Sequence, residues 1–97
     1  MLVRLTEVCV NGAVTTPNDY ILREVFINPE HVVMIREERR MKELNERGIL
    51  NEALDSKHRF SKLTINRGQS GTEIVVVGAP DLVETKLQNS SKQLLRG

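Results

Sequence analysis

RFSKLTINRGQSGTEIVVV, residues 59–77, is the clearest structural unit in the chain. Two runs that favour β-strands, residues 59–66 and 73–77, flank a connection at residues 67–72 that contains two glycines. This pattern predicts a β-hairpin with a long loop. Apolar and polar side chains alternate along the first arm, whereas residues 74–77 are apolar on both faces. The second arm is therefore predicted to be a central strand of a sheet.

Three further strands are predicted before the hairpin, at residues 2–10, 23–27 and 31–36. The first ends at Asn11-Gly12, a dipeptide that favours tight turns, and a loop is predicted at residues 15–19. Asn28-Pro29 separates the second strand from the third. Because the third strand is apolar on both faces, we expect it inside the sheet or against a partner subunit.

Helical patterns follow the third strand and the hairpin. Residues 37–47 place Met41 and Leu44 on one side, and Gly48 is suited to end this helix in a left-handed conformation. A short helical turn is predicted at residues 49–55. A final helix is predicted to open at Pro80, whose fixed φ suits a first turn, and to weaken after Gln88.

The fold class that follows is α+β: a small antiparallel sheet of about five strands, with a helical insert between strands 3 and 4 and a C-terminal helix. At 97 residues the chain has room for one domain, residues 1–97. Its parts are the N-terminal strands (1–36), the helical insert (37–57), the β-hairpin (58–78) and the C-terminal helix and tail (79–97).

Composition limits the classes of function. With one Tyr, two Phe and no Trp the core is thin, so we expect a homo-oligomer, a dimer or larger. A formal charge of +1 argues against a stable nucleic-acid complex. The lone Cys9 excludes an internal disulfide, and no segment has signal-peptide or membrane-helix character. We therefore expect a soluble cytoplasmic protein.

The spacing of the reactive residues does not indicate catalysis or metal binding. Cys9, His31 and His58 do not form a short-range metal-binding motif. Cys9 lies in an alternating strand, which favours an inert, partly buried thiol over a nucleophile. No cofactor is implied, and the chain is interpreted as a binding protein and not an enzyme.

The hairpin connection is the one stretch suited to ligand chemistry. Its glycines leave backbone N–H groups free, its hydroxyls add donors and its guanidinium adds a planar cation, a combination that suits phosphate. The alternative is a flexible hairpin connection. The candidate residues in this stretch are Arg67, Gly68, Ser70, Gly71 and Thr72.

A second candidate surface is the polar face of the first hairpin arm. Phe60 could stack on a purine while Lys62 and Asn66 supply hydrogen bonds, and the alternative is that Phe60 covers the rim of the core. Arg36 could add a cation for phosphate. The alternative for Arg36 is a solvated charged face, since Glu37 and Glu38 lie beside it.

The order of segments resembles a known group. A strand, Asn-Pro, the apolar NPEHVVMIRE segment, then LTINRG and IVVVG before a short helix, is similar to small phage-encoded and FlbD-like proteins. The insert at residues 37–55 departs from their simplest members. A related group is the phage sponges of the Thoeris anti-defence kind, oligomeric proteins that sequester cyclic ADP-ribose-type or cyclic oligonucleotide signals without cleaving them.

This resemblance implies a non-enzymatic sponge for a nucleotide-derived immune signal, acting in the host cytoplasm. Phe60 and Asn66 would then lie near the base, and Arg67, Ser70 and Thr72 near phosphate. The alternative is a protein-interaction module that modulates a host regulator through an exposed sheet edge or through Leu94-Leu95.

Overall fold

A computed structural model of the chain describes residues 2–10, 20–48, 50, 54–68 and 70–96, with the backbone alone at 10, 67, 70 and 90–96. The turn predicted at Asn11-Gly12, the loop at 15–19 and most of the helical turn at 49–55 lie outside the described residues.

Five strands and two α-helices make up the described chain. The strands are β1 (Val3–Val10), β2 (Tyr20–Ile27), β3 (Val32–Glu37), β4 (Phe60–Arg67) and β5 (Ser70–Val77). The helices are α1 (Arg39–Glu46) and α2 (Pro80–Arg96), and a short 3-10 helix, Pro29–His31, joins β2 to β3. The strands form one antiparallel sheet in the order β2-β1-β5-β4-β3. The predicted five-stranded antiparallel sheet, the broadly α+β class and the central place of β5 are confirmed.

The sheet is strongly curled. Its two edge strands, β2 and β3, are joined only by Asn28 and the three residues of the 3-10 helix. A 3-10 helix rises only about 2 Å per residue. The link is therefore shorter than the roughly 19 Å that four strand spacings of a flat sheet would require. The end of β2 and the start of β3 must approach each other across the concave side of the sheet.

Each face of the sheet carries its own apolar cluster. On the face that we call the α2 face, side chains from β1, β2, β4 and β5 pack against Val83 and Leu87 of α2. On the opposite face, the α1 face, Phe60 packs with Val8 and Leu50, and Met41 and Leu44 of α1 cover them. Burial on both faces explains why β5 is apolar on both sides.

A buried polar side chain fixes the connection between β5 and α2. Ser61 is buried, and its hydroxyl donates a 2.7 Å hydrogen bond to the carbonyl oxygen of Gly78, just before α2. Gly78 has a φ of 127°, a conformation that favours glycine, and a Cβ there would lie 3.3 Å from Cγ2 of Val83. The chain can therefore turn closely from β5 into α2.

The predicted long loop of the hairpin is wrong. Arg67 and Ser70 pair directly across the ladder, so a two-residue turn joins β4 to β5. Gly68 opens this turn with a φ of 76°, the positive value that tight hairpin turns require at their first central position. Gly71 and Thr72 belong to β5, opposite Asn66 and Ile65. The sequence signal failed because Gly and Ser are poor strand formers and the ladder overrides their preference.

Two strand assignments also differ from expectation. β2 begins at Tyr20, three residues before the predicted start at Arg23, and pairs with β1 along its whole length. β3 is an edge strand, so the first alternative, a place inside the sheet, is wrong, and the second, a place against a partner subunit, stays a prediction. A register shift between Val32 and Met34 interrupts its pairing with β4. Neither described helix has the length and apolar composition needed to cross a membrane.

Candidate functional site

The curled sheet divides the predicted site between its two faces. Strand alternation places Phe60, Lys62 and Asn66 on the α1 face, and Gly71 pairs with Asn66 there. Arg36 pairs with Lys62 and shares that face. Positions 67, 70 and 72 belong to the α2 face by the same alternation. One small ligand cannot contact both sets except around the end of the hairpin.

The Phe60 ring is closed to a ligand in this arrangement. Its exposed fraction is 0%, and it packs with Val8 and Leu50 between the sheet and α1. Of the two interpretations of Phe60, the structure favours the core. Phe60 therefore cannot stack on a base in this structure.

The predicted cations on the α1 face are paired with carboxylates. The Lys62 Nζ lies 3.3 Å from Oε2 of Glu38, and Nη2 of Arg36 lies 3.0 Å from Oε2 of Glu73. The exposed Arg36–Glu73 pair contributes little to stability, at most about 1 kcal/mol, and the Lys62–Glu38 pair is half-buried. Their carboxylates nevertheless cancel the local positive charge that would attract a phosphate.

A third pair continues this pattern at the end of the sheet. Nε of Arg59 donates a 2.8 Å hydrogen bond to Oε2 of Glu37. This bond holds the pKa of the Glu37 carboxyl below its usual value and raises the pKa of Arg59. By alternation this pair belongs to the α2 face, whereas the Lys62–Glu38 and Arg36–Glu73 pairs leave the α1 face with charges of both signs, which favours solvation over anion binding.

The α2 face holds a half-open groove of about 440 Å³. It lies where the end of β2 and the 3-10 helix meet the β4–β5 hairpin, so it results directly from the curl of the sheet. Its volume is within the range typical of small-molecule sites. Of the predicted site residues, Thr72 lines it. The described lining residues are Leu2, Val25, Phe26, Ile27, Asn28, His31, Ile65, Thr72 and Ile74.

The groove combines an apolar floor with a few polar groups at its rim. The floor is made by Val25, Ile27, Ile65 and Ile74, which belong to or pack against the cluster of the α2 face. Asn28, His31 and Thr72 supply the polar atoms. None of the described lining residues is Lys, Arg, Asp or Glu. Such a lining suits an uncharged, largely apolar group held by a small number of hydrogen bonds.

Asn28 is held in one orientation. Its Oδ1 accepts a 3.0 Å hydrogen bond from the backbone N–H of Glu30, and its carbonyl oxygen accepts a 3.0 Å bond from the N–H of His31. With Oδ1 so occupied, the side chain presents Nδ2 as its donor. Asn28 therefore caps the 3-10 helix and leaves a fixed donor group beside the groove.

Phe26 borders the groove at the end of β2, but its ring belongs to the other face of the sheet. The ring is 56% exposed, and alternation places it on the α1 face, opposite Val25 and Ile27. Sequence reasoning missed Asn28 and His31 because Asn28-Pro29 was interpreted only as a strand break. The available signal was that the same dipeptide joins two strands by a link too short to cross a flat sheet.

The remaining reactive groups do not form a site. Burial, and secondly the nearby Glu7 carboxylate, raise the pKa of the Cys9 thiol and disfavour a nucleophilic thiolate. Within the part of the chain that the structure describes, no three His, Cys, Asp or Glu residues are grouped to hold a metal ion.

Comparison of the chain with protein-family models, with curated proteins and with solved structures finds no match. The resemblance to phage and FlbD-like proteins stays a prediction from the sequence.

Proposed function

We propose that this chain is a non-enzymatic binding protein that sequesters a small nucleotide-derived ligand in the groove of the α2 face. The observation that carries the proposal is the groove itself, which has an apolar floor and three polar residues at the rim. Sites of this volume and composition are typical of small-molecule binding.

Binding without turnover is the form of activity that this lining favours. Among its described residues, His31 is the one titratable side chain of the groove, and neither a carboxylate nor a nucleophile lies beside it there. Nucleophilic catalysis needs a nucleophile beside a base, and that base is usually oriented by a third group. The groove offers surface and hydrogen bonds, which are enough to retain a ligand.

The biological role follows from the sequence resemblance. A phage-encoded sponge in the host cytoplasm would remove a cyclic ADP-ribose-type or cyclic oligonucleotide signal and so block anti-phage defence. Thr72 lines the groove, and Arg67 and Ser70 pair two positions beyond Ile65 and Thr72 in the same ladder. A ligand bound at Thr72 would therefore extend toward the end of the hairpin.

A thermal-shift panel of cyclic oligonucleotides and ADP-ribose isomers tests this proposal. A ligand that binds only the folded state stabilises it by mass action. At about a hundredfold excess over Kd the expected rise in melting temperature is on the order of 10 °C. If no member of the panel shifts the melting temperature, the proposal is abandoned.

A matched pair of variants locates the binding. Thr72→Val removes a hydroxyl from the groove while keeping the β-branched shape, and it should reduce the thermal shift. Thr6→Val makes the same change on an exposed strand position of the opposite face and should leave the shift intact. Equal losses in both variants would place the ligand elsewhere.

A protein-interaction module is the alternative function. Four apolar side chains, three on the edge strands β2 and β3 and one just before β1, are about half exposed or more: Phe26, Val33, Met34 and Leu2. Exposed apolar side chains on edge strands favour association with a partner protein. A specific host protein captured by the wild type and lost with Met34→Lys, in the presence of nuclease and high salt, would favour this function over ligand sequestration.

A further inference from the structure

We infer that the free edge of β2 binds an extended segment of a partner protein. The segment lies antiparallel to β2 and has three apolar residues followed by a basic and an acidic residue. This inference goes beyond ligand sequestration, because it concerns the main chain and the side chains of β2 and does not depend on a nucleotide. It follows from the unpaired edge, the alternation of side chains and the charges of this strand.

The outer edge of β2 is unpaired in the described sheet. All eight residues of the strand, Tyr20–Ile27, pair with β1, and no described strand lies on the other side. None of the described backbone hydrogen bonds outside the ladders involves these residues. The strand contains neither a Pro nor a register shift, two devices that protect an edge from further pairing. A strand of a partner can therefore add to β2 through main-chain hydrogen bonds.

The apolar part of the segment matches the last three residues of β2. Val25 and Ile27 belong to the α2 face, where they form part of the groove floor, and Phe26 belongs to the α1 face. Residues directly opposite one another in an antiparallel ladder share a face. Two apolar side chains opposite Val25 and Ile27 would therefore enter the groove, whose described lining carries no charged side chain apart from the ring of His31. A third, opposite Phe26, would cover its exposed ring.

The charged part of the segment follows from Arg23 and Glu24, which are both more than half exposed. Each has its described ion-pair partner on β1, on the side away from the free edge. Nε of Arg23 lies 3.2 Å from Oε1 of Glu7, and Oε2 of Glu24 lies 3.7 Å from Nη1 of Arg4. An acidic residue opposite Arg23 and a basic residue opposite Glu24 would extend each pair into a row of alternating charges. Opposite charges across a ladder stabilise the pairing of strands, and like charges oppose it.

Fluorescence anisotropy with labelled peptides tests the inference. The probe has the core Val-Leu-Val-Lys-Asp between polar flanks, so that its Lys lies opposite Glu24 and its Asp opposite Arg23 in the antiparallel register. The probe should bind. A peptide with the core Val-Leu-Val-Asp-Lys should bind about tenfold more weakly, because both charge pairs become repulsive. Absence of binding by the probe, or equal binding of the two peptides, overturns the inference.

A charge reversal on the protein locates the binding at β2. Glu24→Lys should prefer a peptide with the core Val-Leu-Val-Asp-Asp over the probe, whereas the wild type prefers the probe. Glu24→Gln places no new cation beside Arg4 and should bind these two peptides about equally. Glu73→Lys makes the same reversal at an exposed, ion-paired position of β5, an interior strand, and should keep the preference of the wild type. Melting temperatures report whether each variant is folded, and an unchanged preference in folded Glu24→Lys or Glu24→Gln overturns the inference.

Methylated peptides test whether the main chain of the segment pairs with β2. The N–H groups of alternate residues point to the same edge of a strand in an antiparallel ladder. One peptide is N-methylated at the first and third core residues and a second at the second and fourth. Binding should be lost in one of the two peptides and retained in the other. Equal effects in both would show that the segment is not added to β2 as a strand, and would overturn the inference.

Discussion

The Nδ2 atom of Asn45, in the last turn of α1, donates a 2.7 Å hydrogen bond to the main-chain oxygen of Asp55. Asn45 is only 3% exposed, so water does not easily replace this bond. The bond fastens the end of α1 to the segment that leads into β4. Leu50, fully buried between them, is held in the cluster of the α1 face.

Asn45→Ala should therefore destabilise the protein. It removes one part-buried hydrogen bond, which costs about 0.5–1.5 kcal/mol, while the Asp55 carbonyl oxygen still accepts a 3.0 Å bond from the N–H of His58. For a chain of this size each kcal/mol lowers the melting temperature by roughly 4–8 °C. Asn66→Ala, at an exposed strand position, is the matched control. Equal melting temperatures for the two variants would show that this bond does not hold the insert.

Gly78→Ala should also destabilise, through the backbone. The φ of 127° at Gly78 is rarely adopted by residues with a side chain, and a Cβ there lies 3.3 Å from Val83 Cγ2. The expected cost is on the order of 1–3 kcal/mol, measured by urea unfolding. Gly71→Ala is the control, because its φ is not positive and a Cβ would lie 3.9 Å from the Ile65 carbonyl oxygen, an ordinary contact. A larger loss at Gly71 than at Gly78 would contradict this assignment of strain.

Part of the acid sensitivity of the fold should come from Glu37. The hydrogen bond from Arg59 lowers the pKa of this carboxyl in the folded state. The stabilisation is fully present above the unfolded-state pKa of about 4.3, and is lost as pH falls through the lower folded-state pKa. Glu37→Gln should thus unfold at a lower urea concentration than the wild type at neutral pH, and the difference should shrink on acidification.

Glu30→Gln is the control for this pH dependence. Glu30 is exposed at the 3-10 helix, and its described hydrogen bond uses the backbone N–H and not the carboxylate. The urea midpoint of Glu30→Gln should follow that of the wild type across the pH range. A constant difference between Glu37→Gln and the wild type down to strongly acidic pH would show that the Arg59 pair does not depend on the charge of Glu37.

Strand alternation was readable from the sequence because it is a local property. The pattern of residues 59–77 was enough to assign the two faces of β4 and the central place of β5, since each apolar side chain needs a covered face. The two-residue turn could not be predicted from the sequence, because Ser70 and Gly71 have low strand propensity and only the completed ladder with β4 includes them in β5.

The groove was beyond local patterns for a different reason. It forms where Val25 and Ile27 of β2 meet Ile65 and Ile74 of the hairpin, side chains that are distant in the chain. Their approach depends on the curl that the Asn28–His31 link imposes on the sheet. Phe60 was predicted as a possible ligand contact because alternation assigns its side chain to one face of the sheet. Only the position of α1 and Leu50 shows that this part of the face is covered.

The exposed edge strand β3 is the surface that we expect to mediate assembly. Val33 and Met34 are exposed apolar side chains on an edge strand, where unpaired backbone groups and apolar surface both favour association. We expect the wild type to form a dimer or larger oligomer, as the small number of aromatic residues in a short chain also favours. Met34→Lys places a charge on this surface and should shift the mass measured by light scattering toward the monomer.

Leu82→Lys introduces the same charge at a comparably exposed apolar position of α2 and should not change the mass. A wild type that stays monomeric at high concentration would contradict the prediction of an oligomer. Dissociation by Leu82→Lys and not by Met34→Lys would place the interface on α2 and not on β3.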